Sequence, residues 1–194
     1  MQGILLIRHG NTTFDDKVDG FLDPPLNHEG FERIRRTIKF LDSKGWTYDR
    51  IVSSPRQRAL RAAEMLSRGR TLVTTSNYCL PWNLGDLMGK TSKVATPFIE
   101  QLKDFPDVNA PHGESYRAFY NRWEEFLGRV MYYAMRVDNP VVITCHSRNI
   151  DALQEIIGGA SIGDFKPLTP EASVTQLSPD ENGVWSYQLI WNGK

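Results

Sequence analysis

Gly3-Ile4-Leu5-Leu6-Ile7, closed by Arg8-His9-Gly10, is the stretch that decides the fold of this chain. A continuous apolar run of this length that ends in a polar turn predicts a buried strand, of the kind covered by helices on both faces in a parallel sheet. The run is too short for the core of a signal peptide, and Arg8 and His9 cut it off.

Working outward, strand and helix signals alternate. Residues 11–27 carry Gly20, Pro24 and Pro25 and predict a surface loop. From 28 to 43 Phe31, Ile34, Ile38 and Leu41 recur at helical spacing. Residues 50–54 predict a second strand. Pro55 follows where proline suits a helix start, and 56–66 continue as helix. Residues 71–76 are β-branched and predict a third strand. Proline and glycine crowd 80–111, with one helix expected near 97–103. A long amphipathic helix is expected over 114–136, a buried strand over 141–144, and a helix over 147–157 closed by Gly158-Gly159. Residues 174–177 and 184–190 predict a terminal hairpin. The expected architecture is a single α/β domain over residues 1–194: a three-layer αβα sandwich with a mostly parallel central sheet, and 80–111 as a small cap.

The 194 residues are 40% hydrophobic and 24% charged, and Lys plus Arg equals Asp plus Glu at 23 each. A neutral chain is not steered as a whole toward nucleic acid or an anionic membrane, so any attraction for anions must be local. No stretch is long and apolar enough to span a bilayer. Cys79 and Cys145 make a poor disulfide framework, which points to a reducing, cytoplasmic setting. No cluster of His, Cys and carboxylates has metal-ligand spacing, so no metal is expected. The oligomeric state is left open.

In open α/β sheets, ligands bind beyond the carboxyl ends of the strands. Three polar clusters fall there: Arg8-His9-Gly10, Cys145-His146-Ser147, and Ser53-Ser54-Pro55 with Arg58 one turn on. Two histidines and two arginines converging on one pocket would suit a phosphate, because guanidinium forks pair with its oxygens and a neutral imidazole can attack phosphorus. Taken singly, each residue has an ordinary structural reading; the order and spacing of the set carry the argument. Most of the tryptophans read as packing, with Trp82, in the expected cap, the one that merits a functional role.

Leu5-Leu6-Ile7-Arg8-His9-Gly10-Asn11-Thr12 resembles the signature of the histidine phosphatase superfamily, which includes the phosphoglycerate mutases. Residues 20–27, Ser53-Ser54-Pro55-Arg56-Gln57-Arg58-Ala59, Gly113-Glu114-Ser115 and Val142-Ile143-Thr144-Cys145-His146 are similar to its later motifs. The resemblance implies that His9 is the phosphorylated nucleophile and that Arg8 and Arg58 hold the phosphoryl oxygens. It implies that His146 donates to them in the transition state, and that Asn11 and Thr12 fall at substrate-binding positions. It also implies a small phosphorylated substrate and a reaction that requires neither a metal nor an organic cofactor.

Two positions depart from the pattern that the resemblance implies. The glutamate that protonates the leaving oxygen is replaced by Pro81, and Ser147 stands where the acid phosphatase branch has an aspartate. Asp86, Glu114, His112 and Asp15 are the candidates for a substitute acid. The expected function is hydrolysis of a phosphomonoester through phosphohistidine. The alternatives are a cofactor-dependent phosphoglycerate mutase and a weakly active or inactive phosphate-binding module.

Overall fold

In the computed structural model, which describes residues 3–167 and 169–194, the opening run becomes β1, Ile4–Arg8, set inside a sheet. The other strands among the described residues are β2 (Arg50–Ser53), β3 (Leu72–Thr75), β4 (Val141–Cys145), β5 (Val174–Pro179) and β6 (Trp185–Trp191). Their order is β3-β2-β4-β1-β5-β6. The first four run parallel, whereas β5 and β6 are antiparallel, so the sheet is mixed.

Ile4, Leu5, Leu6 and Ile7 are all fully buried, and successive side chains of a strand point to opposite faces. Ile4 and Leu6 pack with Phe119, Trp123 and Leu127 of α4 (Tyr116–Ala134). Leu5 and Ile7 pack with Leu41 of α1 (His28–Ser43) and Ala63 and Leu66 of α2 (Gln57–Ser67). This split puts helices on both sides of one sheet, the αβα arrangement. β3 lies at the edge, which explains why its side chains are largely exposed despite their β-branched pattern.

Several boundaries differ from the sequence expectation. The helix expected near 97–103 is α3, Ser92–Asp104, and begins five residues earlier, with Pro97 inside it. Pro97 removes one backbone donor there but leaves the turns on either side intact. Pro55 precedes α2 rather than starting it: Arg56 is the N-cap, and the Gln57 N–H donates to Asp23 Oδ1 at 2.8 Å. The helix expected over 147–157 is two short pieces, α5 (Ser147–Asp151) and α6 (Leu153–Ile156), meeting at Ala152. Trp82 is almost fully buried, and its indole N–H donates to the Glu114 carbonyl at 3.1 Å.

Candidate active site

Strand register builds the site. β1 pairs with β4 so that Arg8 lies opposite Cys145, and the next residue of each strand, His9 and His146, leaves the sheet beside the other. The His9 N–H donates to the Cys145 carbonyl at 3.2 Å, and the Ser54 N–H donates to the Thr144 carbonyl from the other side at 3.0 Å. The imidazole centroids are 5.2 Å apart, with the rings inclined at 62°. Arg58 enters from the first turn of α2 and is 1% exposed.

His9 is oriented by its own turn. Its Nδ1 lies 2.8 Å from the Gly10 carbonyl. A carbonyl only accepts, so Nδ1 carries the proton and Nε2 keeps its lone pair. Arg58 Nε donates to that Nε2 at 3.3 Å. Burial, followed by the charges of Arg58 and Arg8, holds His9 well below the ordinary imidazole range. His146 is held low in the same way, by burial first and then by Arg58, His9, Arg8 and Arg56. Both rings are neutral at pH 7. His146 Nε2 contacts Ser54 Oγ at 2.9 Å, and its buried Nδ1 has no hydrogen-bond partner among the described residues.

The arginines are braced from loops. Arg58 Nη1 donates to the Leu22 carbonyl at 2.9 Å and Nη2 to that of Gly20 at 2.7 Å, while Asp19 and Asp23 each lie 3.6 Å away. Burial lowers its pKa to about 10, against the pull of Asp19 and Asp23, so it stays charged at neutral pH. Arg8 pairs with Glu171 at 2.8 Å and donates to the Thr169 carbonyl.

These side chains border a cleft of about 240 Å³. Arg8, His9, Arg58 and His146 all line it, as do Pro81, Trp82 and Leu84. From α3 come Ser92, Thr96 and Ile99, one face of the helix at helical spacing. Six of the lining residues thus come from segment 80–111.

Other sequence candidates fall elsewhere. Asn11 and Thr12 do not line the cleft. Thr12 instead donates through Oγ1 to Asp19 Oδ1 at 3.1 Å. Asp86 and His112 face each other on the exposed surface, 2.9 Å apart. Glu114 accepts from the Asn83 N–H at 2.8 Å and from Arg122 at 3.0 Å. Asp15 is exposed at a loop position with φ of 40°. None of these four borders the cleft.

Sequence reasoning missed three charged residues that do. Lys17 and Asp19 come from the loop after β1, and Arg148 from α5. The cleft thus gathers four cations, Arg8, Lys17, Arg58 and Arg148, around one carboxylate in a chain without net charge. Asp19 stands beside Gly20, within a loop whose composition gave no reason to separate it from Asp15, Asp16 and Asp23. Among the described residues, no group of three or more His, Cys, Asp or Glu is placed to hold a metal ion, and no helix is long and apolar enough to cross a membrane.

Comparison with known proteins bears on this geometry. Residues 4–192 match the family described as the histidine phosphatase superfamily (branch 1). The uncharacterized phosphatase PhoE of Bacillus subtilis (strain 168) is 31% identical over 163 residues, spanning 82% of this chain and 79% of that protein. A mycobacterial glucosyl-3-phosphoglycerate phosphatase superposes with a TM-score of 0.78 at 23% identity, over 99% of each chain. A protein of Thermus thermophilus, TTHB049, superposes with a TM-score of 0.72 at 25% identity, over 98% of this chain and 97% of that one.

Proposed function

We propose, from the premise that this chain belongs to the histidine phosphatase superfamily, that it hydrolyses small phosphomonoesters through a phosphohistidine on Nε2 of His9. The observation that carries the reading is the state of that ring. The Gly10 carbonyl accepts from Nδ1–H, and burial with two flanking arginines keeps Nε2 unprotonated. A neutral imidazole with a fixed, unprotonated Nε2 is the nucleophile that phosphoryl transfer needs, once Arg58 turns its N–H from that nitrogen to a phosphoryl oxygen.

The rest of the site matches the charge that such a transfer develops. Phosphoryl transfer leaves little for covalent catalysis beyond the nucleophile; it asks for positioned cations around the equatorial oxygens. Arg58 and Arg8 supply them without a metal. His146, neutral and bordering the same cleft, adds an uncharged imidazole beside the transferring group, its Nε2 2.9 Å from Ser54 Oγ. Lys17 and Arg148 extend the positive field toward the remainder of the substrate, which favours phosphate esters bearing a second anionic group. The two buried, unpaired cysteines suit a cytoplasmic location.

The test is rapid quenching with an activated aryl phosphate carrying labelled phosphorus. An acid-labile, base-stable label on His9, discharged to inorganic phosphate, is the expected result. Turnover without such a label, or full activity in His9→Ala, overturns the reading.

A further inference from the structure

We propose that Asp19 is the proton donor of this site, giving its proton to the leaving oxygen in the first step and taking one from water in the second. The inference rests on the phosphatase reading above and supplies a group for the place that Pro81 leaves without one.

Among the described residues, Asp19 is the one carboxylate that lines the cleft holding His9. Its Oδ2 lies 3.6 Å from Arg58 Nε, and the same nitrogen lies 3.3 Å from His9 Nε2. The carboxyl is therefore within about 7 Å of the attacking atom. A phosphoryl group in transfer, with a hydrogen bond of about 2.7 Å to its leaving oxygen, fills a gap of that size.

The hydrogen bonding explains why this carboxyl can carry a proton beside an arginine. At 3.6 Å the contact to Arg58 is too long for a hydrogen bond. Three of the guanidinium's N–H groups are spent on His9, Gly20 and Leu22. Thr12 donates to Oδ1, leaving Oδ2 as the oxygen to be protonated. Burial raises the carboxyl's pKa and outweighs the opposing pull of Arg58, Thr12 and Arg8, while Glu171 pushes in the same direction as burial. An incoming phosphate dianion adds to the upward push, since like charges disfavour ionisation. A carboxylate would repel that dianion; a carboxylic acid does not.

The step balances. The Nε2 lone pair of His9 forms the N–P bond as the P–O bond to the leaving group breaks. The departing oxygen takes the proton from Asp19, leaving phosphohistidine, an alcohol and the Asp19 carboxylate. Water then attacks phosphorus and gives a proton to Asp19, and the N–P electrons return to Nε2 with release of inorganic phosphate.

The experiment measures the rate of phosphoenzyme formation from an alkyl phosphate and from 2,4-dinitrophenyl phosphate, in the wild type, Asp19→Asn and Asp19→Glu. Asp19→Asn should lose about a hundred- to ten-thousand-fold on the alkyl ester, the usual contribution of general acid catalysis, and less than about tenfold on the dinitrophenyl ester, whose leaving group needs no proton. The basic limb of the wild-type kcat/KM profile with the alkyl ester should vanish in Asp19→Asn, and Asp19→Glu should recover part of the rate. Equal losses on both esters would make Asp19 only a brace for Arg58 and overturn the proposal, as would no loss on either. Failure of the wild type to form any phosphoenzyme would overturn the phosphatase reading itself, and Asp19's part with it.

Discussion

Arg58 Nε sits 3.3 Å from His9 Nε2, so the one fully buried guanidinium of the site touches the atom that the proposed reaction uses. The contact joins a strand end to a helix 49 positions later and places a fixed positive charge where phosphorus would be attacked. Because the same arginine also holds the backbone of Gly20 and Leu22, catalysis and loop position depend on one side chain.

Arg58→Ala should consequently show two losses. Turnover should fall by at least about a hundredfold, comparable with removing a preorganised donor to a developing charge. Stability should fall by about 1–3 kcal/mol, since the partly buried carbonyls of Gly20 and Leu22 lose their donor. Urea unfolding together with steady-state kinetics on the folded protein separates the two. A normal rate per folded molecule would make Arg58 purely structural.

Stability should decline as pH falls from about 6.5 toward 5. In the folded chain burial and the neighbouring arginines keep His9 and His146 unprotonated. In the unfolded chain both bind protons below about pH 6.5. The unfolded state therefore gains protons that the folded state does not, and linkage makes acid destabilising. The slope approaches about 1.4 kcal/mol per pH unit for each histidine. Asp19 and Glu155, whose carboxyls burial raises, bend the same curve the opposite way. The measurement is thus the difference between the wild type and the double variant His9→Gln, His146→Gln, whose profile should be flatter.

Gly30→Ala should impair the site from outside the cleft. A Cβ at Gly30 would meet the Asn11 carbonyl oxygen at 2.1 Å, and one at Gly10 would meet the Gly30 carbonyl oxygen at 2.4 Å. The first turn of α1 therefore packs backbone to backbone against the turn that aims His9. Overpacking there costs about 1–3 kcal/mol and shifts the nucleophile. Thermal unfolding should show the lower stability, and kcat should drop further than KM changes. An unaltered kcat would mean that the turn can yield without moving His9.

Activity should survive exhaustive chelation. The proposed chemistry draws its positive charge from Arg8 and Arg58, and no metal-binding group of side chains occurs among the described residues. Loss of turnover on chelation, restored by one divalent ion, would contradict the proposed mechanism.

The sequence by itself determined the layered fold and the core of the candidate site. Ile4 to Ile7 is apolar at every position, and a strand that buries both faces needs helices on both; that is a local property of one short run. Arg8-His9 and Cys145-His146 end their strands, and once β1 pairs with β4 in parallel, ends of equal register must meet. Periodicity also located α1 and α4, because one face of each helix is apolar. What only the tertiary structure decided were the groups whose meaning depends on distant partners. Asp19 became distinct from Asp15, Asp16 and Asp23 only when Thr12 and Arg58 enclosed it beside the cleft. Glu114, Asp86 and His112 read equally well as acids until their partners Asn83 and Arg122, or each other, drew them away. The antiparallel pairing of β5 with β1 was decided in the same way, by the place of the terminal hairpin in the sheet, and the break at Ala152 shows only in the folded backbone. Side-chain protonation and loop position follow from non-local burial and hydrogen bonding, and neither leaves a periodic trace along the chain.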